Sequence, residues 1–74
     1  MKHQVMGVKR GEDFPLFQQP LSIATSDLKI VMGWENEEEF QHDYRLTEQQ
    51  IIEIEKSCAI TLPRDLDLYL STQI

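Results

Sequence analysis

The sequence predicts one small α+β domain over residues 1–74, an N-terminal β-hairpin or antiparallel sheet packed with two or three short helices, two of them C-terminal. Three observations carry this. A glycine-containing turn, Arg10-Gly11-Glu12-Asp13, separates two short mixed runs, the pattern of a hairpin. Thr47 and Gln50 have the spacing of a helix capping box. With only 74 residues, the chain has room for one core and no second lobe.

The hairpin strands are Gln4 to Lys9 and Phe14-Pro15-Leu16-Phe17, and Gln18-Gln19-Pro20 closes the unit. Pro15 cannot donate to a ladder, so its strand lies at a sheet edge or starts just after it. Between Leu21 and Trp34 two periods fit. Leu28, Val31 and Met32 have i, i+3, i+4 spacing, with Ser26 as N-cap, Asp27 in the first turn and Gly33 just past the end. Leu28, Ile30, Met32 and Trp34 also alternate as a strand would. The caps favour the helix.

Glu35-Asn36-Glu37-Glu38-Glu39 forms an acidic loop. After it Phe40, His42, Tyr44 and Leu46 alternate with polar residues, a half-buried strand. Thr47 then caps a helix to residue 59, with Leu46 and Ile51 at hydrophobic-staple spacing and Ile51, Ile54 and Cys58 as its apolar stripe. Leu62 precedes a proline and is pushed towards extended geometry. Pro63 is placed to open a second helix over 63–70, with Leu66, Tyr69 and Leu70 facing inward.

Composition bounds function. The chain is 41% hydrophobic and 27% charged with a net charge of −6, an ordinary globular usage. The acidity is one-sided, because residues 1–34 balance to +1 and residues 35–74 to −7. A negative chain without a basic patch opposes direct nucleic-acid binding. It suits a basic protein partner, through steering of encounter, and it also keeps a small protein soluble. The single cysteine, Cys58, cannot staple the chain, which suits a reducing, cytoplasmic setting. No run has signal-peptide or membrane-spanning length.

No catalytic apparatus is expected. Cys58 and His42 form the one thiol and imidazole combination away from the N-terminus, and Cys58 on an apolar stripe is the pattern of a small core residue. His3, His42 and Cys58 lack the close spacing of metal ligands, and Gly7, Gly11 and Gly33 are isolated, so no phosphate loop is present. No cofactor or metal is implied. The candidate partner-binding residues are Trp34, Glu35, Glu37, Glu38, Glu39 and Asp43. For Trp34 a core role and an interface-anchor role both fit.

The stretch from Leu46-Thr47-Glu48-Gln49-Gln50-Ile51 through Leu62-Pro63-Arg64-Asp65-Leu66-Asp67-Leu68-Tyr69-Leu70 covers about a third of the chain. It resembles the helix, the Leu-Pro stretch and the following Asp-Leu helix of small immunity proteins from bacterial polymorphic and contact-dependent growth inhibition toxin systems, including the SUKH superfamily. The order of elements, with Asp43-Tyr44-Arg45-Leu46-Thr47 ending a strand and Asp67-Leu68-Tyr69-Leu70 near the end, is similar to that of short toxin-associated proteins. The resemblance implies a cytoplasmic protein that binds a cognate, basic, nuclease-type toxin domain and blocks its active site or substrate path. It carries no individual functional residue. The alternative is a non-catalytic acidic adaptor or regulatory protein, of host or phage, with a basic protein partner.

Overall fold

The computed structural model describes residues 2–35, 39 and 42–73. Its fold is α+β, with a four-stranded antiparallel sheet in the order β2-β1-β4-β3 and two helices. In chain order the elements are β1 (Lys2–Val8), β2 (Pro15–Leu21), α1 (Thr25–Met32), β3 (Tyr44–Arg45), α2 (Glu48–Cys58) and β4 (Asp67–Gln73).

β1 and β2 form the expected hairpin, and β2 is an edge strand that begins at Pro15, but Gln18-Gln19-Pro20 does not close the unit: β2 runs on through it to Leu21 because β1 offers pairing partners as far as His3. Gly7 pairs with Phe17 and Val8 with Pro15, so Leu16 is the extra residue of a β-bulge. The register also accounts for Pro20. Leu46 donates its N–H to the Leu68 carbonyl at 2.8 Å, which turns the backbone groups of Leu68 and Leu70 towards β3 and those of Tyr69 and Ser71 towards β1. Gln4 and Met6 face back at β4, and His3, Val5 and Gly7 face β2. Pro20 is opposite Gln4, so its missing N–H would have pointed away from the sheet, where none is needed.

The expected helix over 63–70 is not formed, which corrects the placing of two helices at the C-terminal end. Asp67–Gln73 is instead a central strand, paired with β1 along its whole length from Val8↔Asp67 to Lys2↔Gln73. Two periods compete here too. Leu66, Tyr69 and Leu70 fit a helix, but Leu66, Leu68 and Leu70 fit a strand, and Ser71-Thr72 adds the β-forming residues. β1 decides the matter, since a lone hairpin is marginal in water and a third strand completes a buried face. The helix between residues 25 and 32 does form, so the strand alternative for 21–34 does not hold. Its N-cap is Ala24, not Ser26, with no side-chain cap.

The helices cover one face of the sheet. The core is Val5 from β1, Leu68 and Leu70 from β4, Leu28 from α1, Ile51 and Ile54 from α2, with Trp34, Leu46 and Leu62 at the edges. Cys58 and Leu66 pack against it, half-buried. Gly7 makes room for its neighbours, since a Cβ there would stand 2.8 Å from Leu66 Cδ1, which would have to shift, and 3.1 Å from Phe17 Cβ.

α2 carries the full capping box, with Thr47 Oγ1 accepting from the Gln50 N–H at 3.2 Å and Gln50 Oε1 accepting from the Thr47 N–H at 2.9 Å. It ends on Ala59 at φ 53°, ψ 44°, a left-handed geometry that strains any residue with a Cβ. The loop beyond is fastened by Glu55. Its carboxylate receives Arg64 Nη1 and Nη2 at 3.0 and 2.7 Å and the Leu62 N–H at 2.7 Å. These bonds, the Arg64 guanidinium first, hold the Glu55 carboxyl at about 2, below its ordinary 4.5.

His3 locks the other end. It is buried, with Nδ1 2.9 Å from Thr72 Oγ1 and Nε2 2.9 Å from Thr25 Oγ1, so one imidazole ties β1 to β4 and to the start of α1. Burial lowers its pKa from the ordinary 6.5. The unfolded chain therefore takes up this proton at a higher pH than the folded one, and protonation favours unfolding. We expect the His3 contribution to be complete above about pH 6.5 and to fall as the pH drops from there towards the lowered folded value. The Glu55 contribution runs in a separate window, present above its ordinary value of 4.5 and lost as pH falls towards about 2. Denaturation midpoints at about pH 7.5 and 5.5 separate the two, because only the His3 step lies between them. His3→Gln should flatten that interval, and an equal slope in the variant would assign the step elsewhere.

Candidate functional site

The acidic end of the molecule is built by the way α1 stops. Gly33, at φ 70°, lets its N–H reach the Ile30 carbonyl at 3.3 Å and the Trp34 N–H reach the Lys29 carbonyl at 3.0 Å. These two bonds are the paired closure of a helix C-terminus by a left-handed glycine. Such a closure brings the residue after the glycine back onto the last turn. Trp34 is accordingly buried, at 7% exposure, in one core with Leu28. Of the two roles open to Trp34 from sequence, its burial gives it the core one.

Trp34 is also the base of an aromatic series. Its ring lies 5.4 Å from that of Tyr44, tilted by 49°, and the Tyr44 ring lies 6.3 Å from the His42 imidazole at 88°. Both separations fall in the range of favourable aromatic pairs. Exposure rises along the series, from buried Trp34 through half-buried Tyr44 to exposed His42. The alternation of His42, Tyr44 and Leu46 was the sequence signal for this, although only Tyr44–Arg45 are strand among the described residues of that stretch.

Carboxylates adjoin the series along the chain. Glu35 and Asp43 are exposed and Glu39 is half-buried. The Glu35 N–H donates to Glu39 Oε2 at 2.8 Å, which draws the two ends of the acidic loop together. Glu37, Glu38 and Phe40 lie outside the described residues. The structure thus brings Trp34, followed by Glu35 with its bond to Glu39, against Tyr44 of the edge strand β3, which Asp43 precedes, with Trp34 beneath the surface.

This arrangement presents negative charge beside an aromatic surface. Cys58 is half-buried against the core, and His42 stands with Tyr44. Among the described residues no three His, Cys, Asp or Glu side chains are gathered to hold a metal ion, and no helix is long and apolar enough to cross a membrane. No protein-family model matches this chain, and neither a curated protein nor a solved structure matches it.

Proposed function

We propose that this protein is a non-catalytic binding module of the immunity type, which captures a basic toxin domain in the cytoplasm and blocks its active site or substrate path. The observation that carries the reading is the group of carboxylates, exposed Glu35 and Asp43 and half-buried Glu39, that adjoins the series of Trp34, Tyr44 and His42 rings. A nuclease domain acts on a polyanion and presents positive charge to it, so an acidic rim competes for that same surface. Of the stretch that resembles immunity proteins, the capped helix over Glu48–Cys58 supports the same role, whereas the implied Asp-Leu helix is the strand β4 here.

The test is kinetic. Glu35, Glu37, Glu38 and Glu39 are replaced together by glutamine and Asp43 by asparagine, and association with a basic, nuclease-type toxin domain that the parent protein binds is measured at two salt concentrations. Glutamine at position 39 keeps an Oε acceptor for the Glu35 N–H, so the loop closure survives. The association rate should fall by about tenfold or more at low salt, with a flatter salt dependence, since rim charges act through long-range steering. An unchanged rate and salt slope would remove the acidic rim from the interface. Tight binding of a basic protein that is not a toxin would favour the adaptor role instead.

A further inference from the structure

All three arginines of this acidic chain, Arg10, Arg45 and Arg64, line one groove. It consists of two adjoining concavities of about 190 and 300 Å³, which share Arg10, Arg64, Leu66 and Asp67, and the first of which also includes Arg45. The arginines come from the hairpin turn, from β3 and from the bend before β4. The groove lies where β1 ends and β4 begins, and it shares no residue with the acidic rim.

The hydrogen-bond donors of the three are used very differently. Each guanidinium carries five. Arg64 is committed to the fold, through Glu55, Glu48 at 3.1 Å and the Leu62 carbonyl at 3.0 Å. Arg45 gives one bond, Nη2 to Asp67 Oδ1 at 3.0 Å. Arg10 Nε stands 4.0 Å from the same oxygen, beyond hydrogen-bond length. Arg10 and Arg45 keep 88% and 63% of their side-chain surface exposed. Two exposed guanidinium forks therefore meet over a single carboxylate with most of their donors unused by the fold, while Glu48 and Asp65 also line the groove, Glu48 being taken up by Arg64.

We propose that this groove is an oxyanion site, in which Arg10 and Arg45 together hold a small phosphoryl or dicarboxylate group. Guanidinium forks match such groups bidentately, and two of them can share one multi-oxygen anion. Arg64 is the fixed wall. Asp67 has a double part: it holds Arg45 over the groove and competes with the incoming anion for both forks. The concavities lie at or below the lower end of the roughly 300–1,000 Å³ of drug-sized sites, which suits a small anion. Binding is weak and salt-sensitive because the forks are exposed.

The experiment titrates pyrophosphate and, separately, malonate into the protein at constant ionic strength, following backbone amide and arginine Nε–H resonances, with sodium chloride as control. Saturable shifts confined to Arg10, Arg45, Asp67 and residues 64–66 are expected. Arg10→Gln with Arg45→Gln should abolish saturation, and both positions are exposed, so an otherwise unchanged spectrum certifies the fold. Asp67→Asn keeps an oxygen acceptor but removes the competing charge, and should tighten binding about fivefold, the worth of one unit charge at roughly 4 Å in water. Saturable binding of either probe supports the site, and because pyrophosphate carries the larger charge, only malonate binding at least as strong as that of pyrophosphate identifies a dicarboxylate. Shifts that never saturate, that match the sodium chloride control or that persist in the double variant overturn the proposal. The outcome is independent of the toxin-binding reading, which rests on the other group of residues.

Discussion

Trp34→Ala should lower the stability of this protein by about 3–5 kcal/mol, the range for removing a buried tryptophan. A domain of this size has only a few kcal/mol in hand, so the variant is expected to be largely unfolded near physiological temperature. The loss has two sources. The ring leaves its contact with Tyr44 and its place in the core with Leu28, and the closure of α1, which seats that ring, loses the apolar contact that accompanies it. Trp34→Phe should cost distinctly less, because it keeps an aromatic ring at the same site. Urea denaturation of both variants, followed by far-UV circular dichroism, checks this. A Trp34→Ala midpoint equal to that of the parent, together with faster dissociation from a partner, would mean that the ring works at an interface.

The reason the sequence left Trp34 between two roles is physical. Nothing within a few residues of it distinguishes a ring folded back by Gly33 from a ring turned outward, and the difference lies in whether α1 forms at all. Where the signal was local, it was legible. The Thr47 and Gln50 capping box, the turn around Gly11, the edge position of Pro15 and the stop at Gly33 are each specified by the residues that make them. The start of α1 was less so. Thr25, not Ser26, is the first helical residue, and its hydroxyl meets His3, 22 positions away in sequence. The candidate site was legible as charge, in the acids at positions 35–43, but the edge-on contact of His42 with Tyr44 and the tilted contact of Tyr44 with Trp34 needed the fold. The meeting of Arg10, Arg45 and Arg64 had no sequence signal, since β1, β3 and β4 must pair before these residues are neighbours.

The same long-range pairing decides the largest difference between sequence and structure, and Ser71→Pro tests it. Were residues 63–70 a helix, Ser71 would lie just beyond its end, a position where proline is well tolerated. In the sheet, Ser71 is opposite Gln4, and the direction of the Leu46 to Leu68 bond turns its N–H towards β1. Proline there removes a ladder hydrogen bond between the two central strands and sets its ring against β1. The expected cost is on the order of 3 kcal/mol. Gln18→Pro is the matching control. Gln18 is opposite Met6 on the edge strand, with its N–H directed outward as at Pro20, so the substitution should cost less than about 1 kcal/mol. Because both variants introduce the same residue into a strand, the contrast between them isolates the ladder from proline's general effect on the unfolded chain. Equal denaturation midpoints for the two variants would contradict a central β4. A large loss confined to Ser71→Pro would show that the stability of the whole sheet depends on the pairing of residues 2–8 with 67–73.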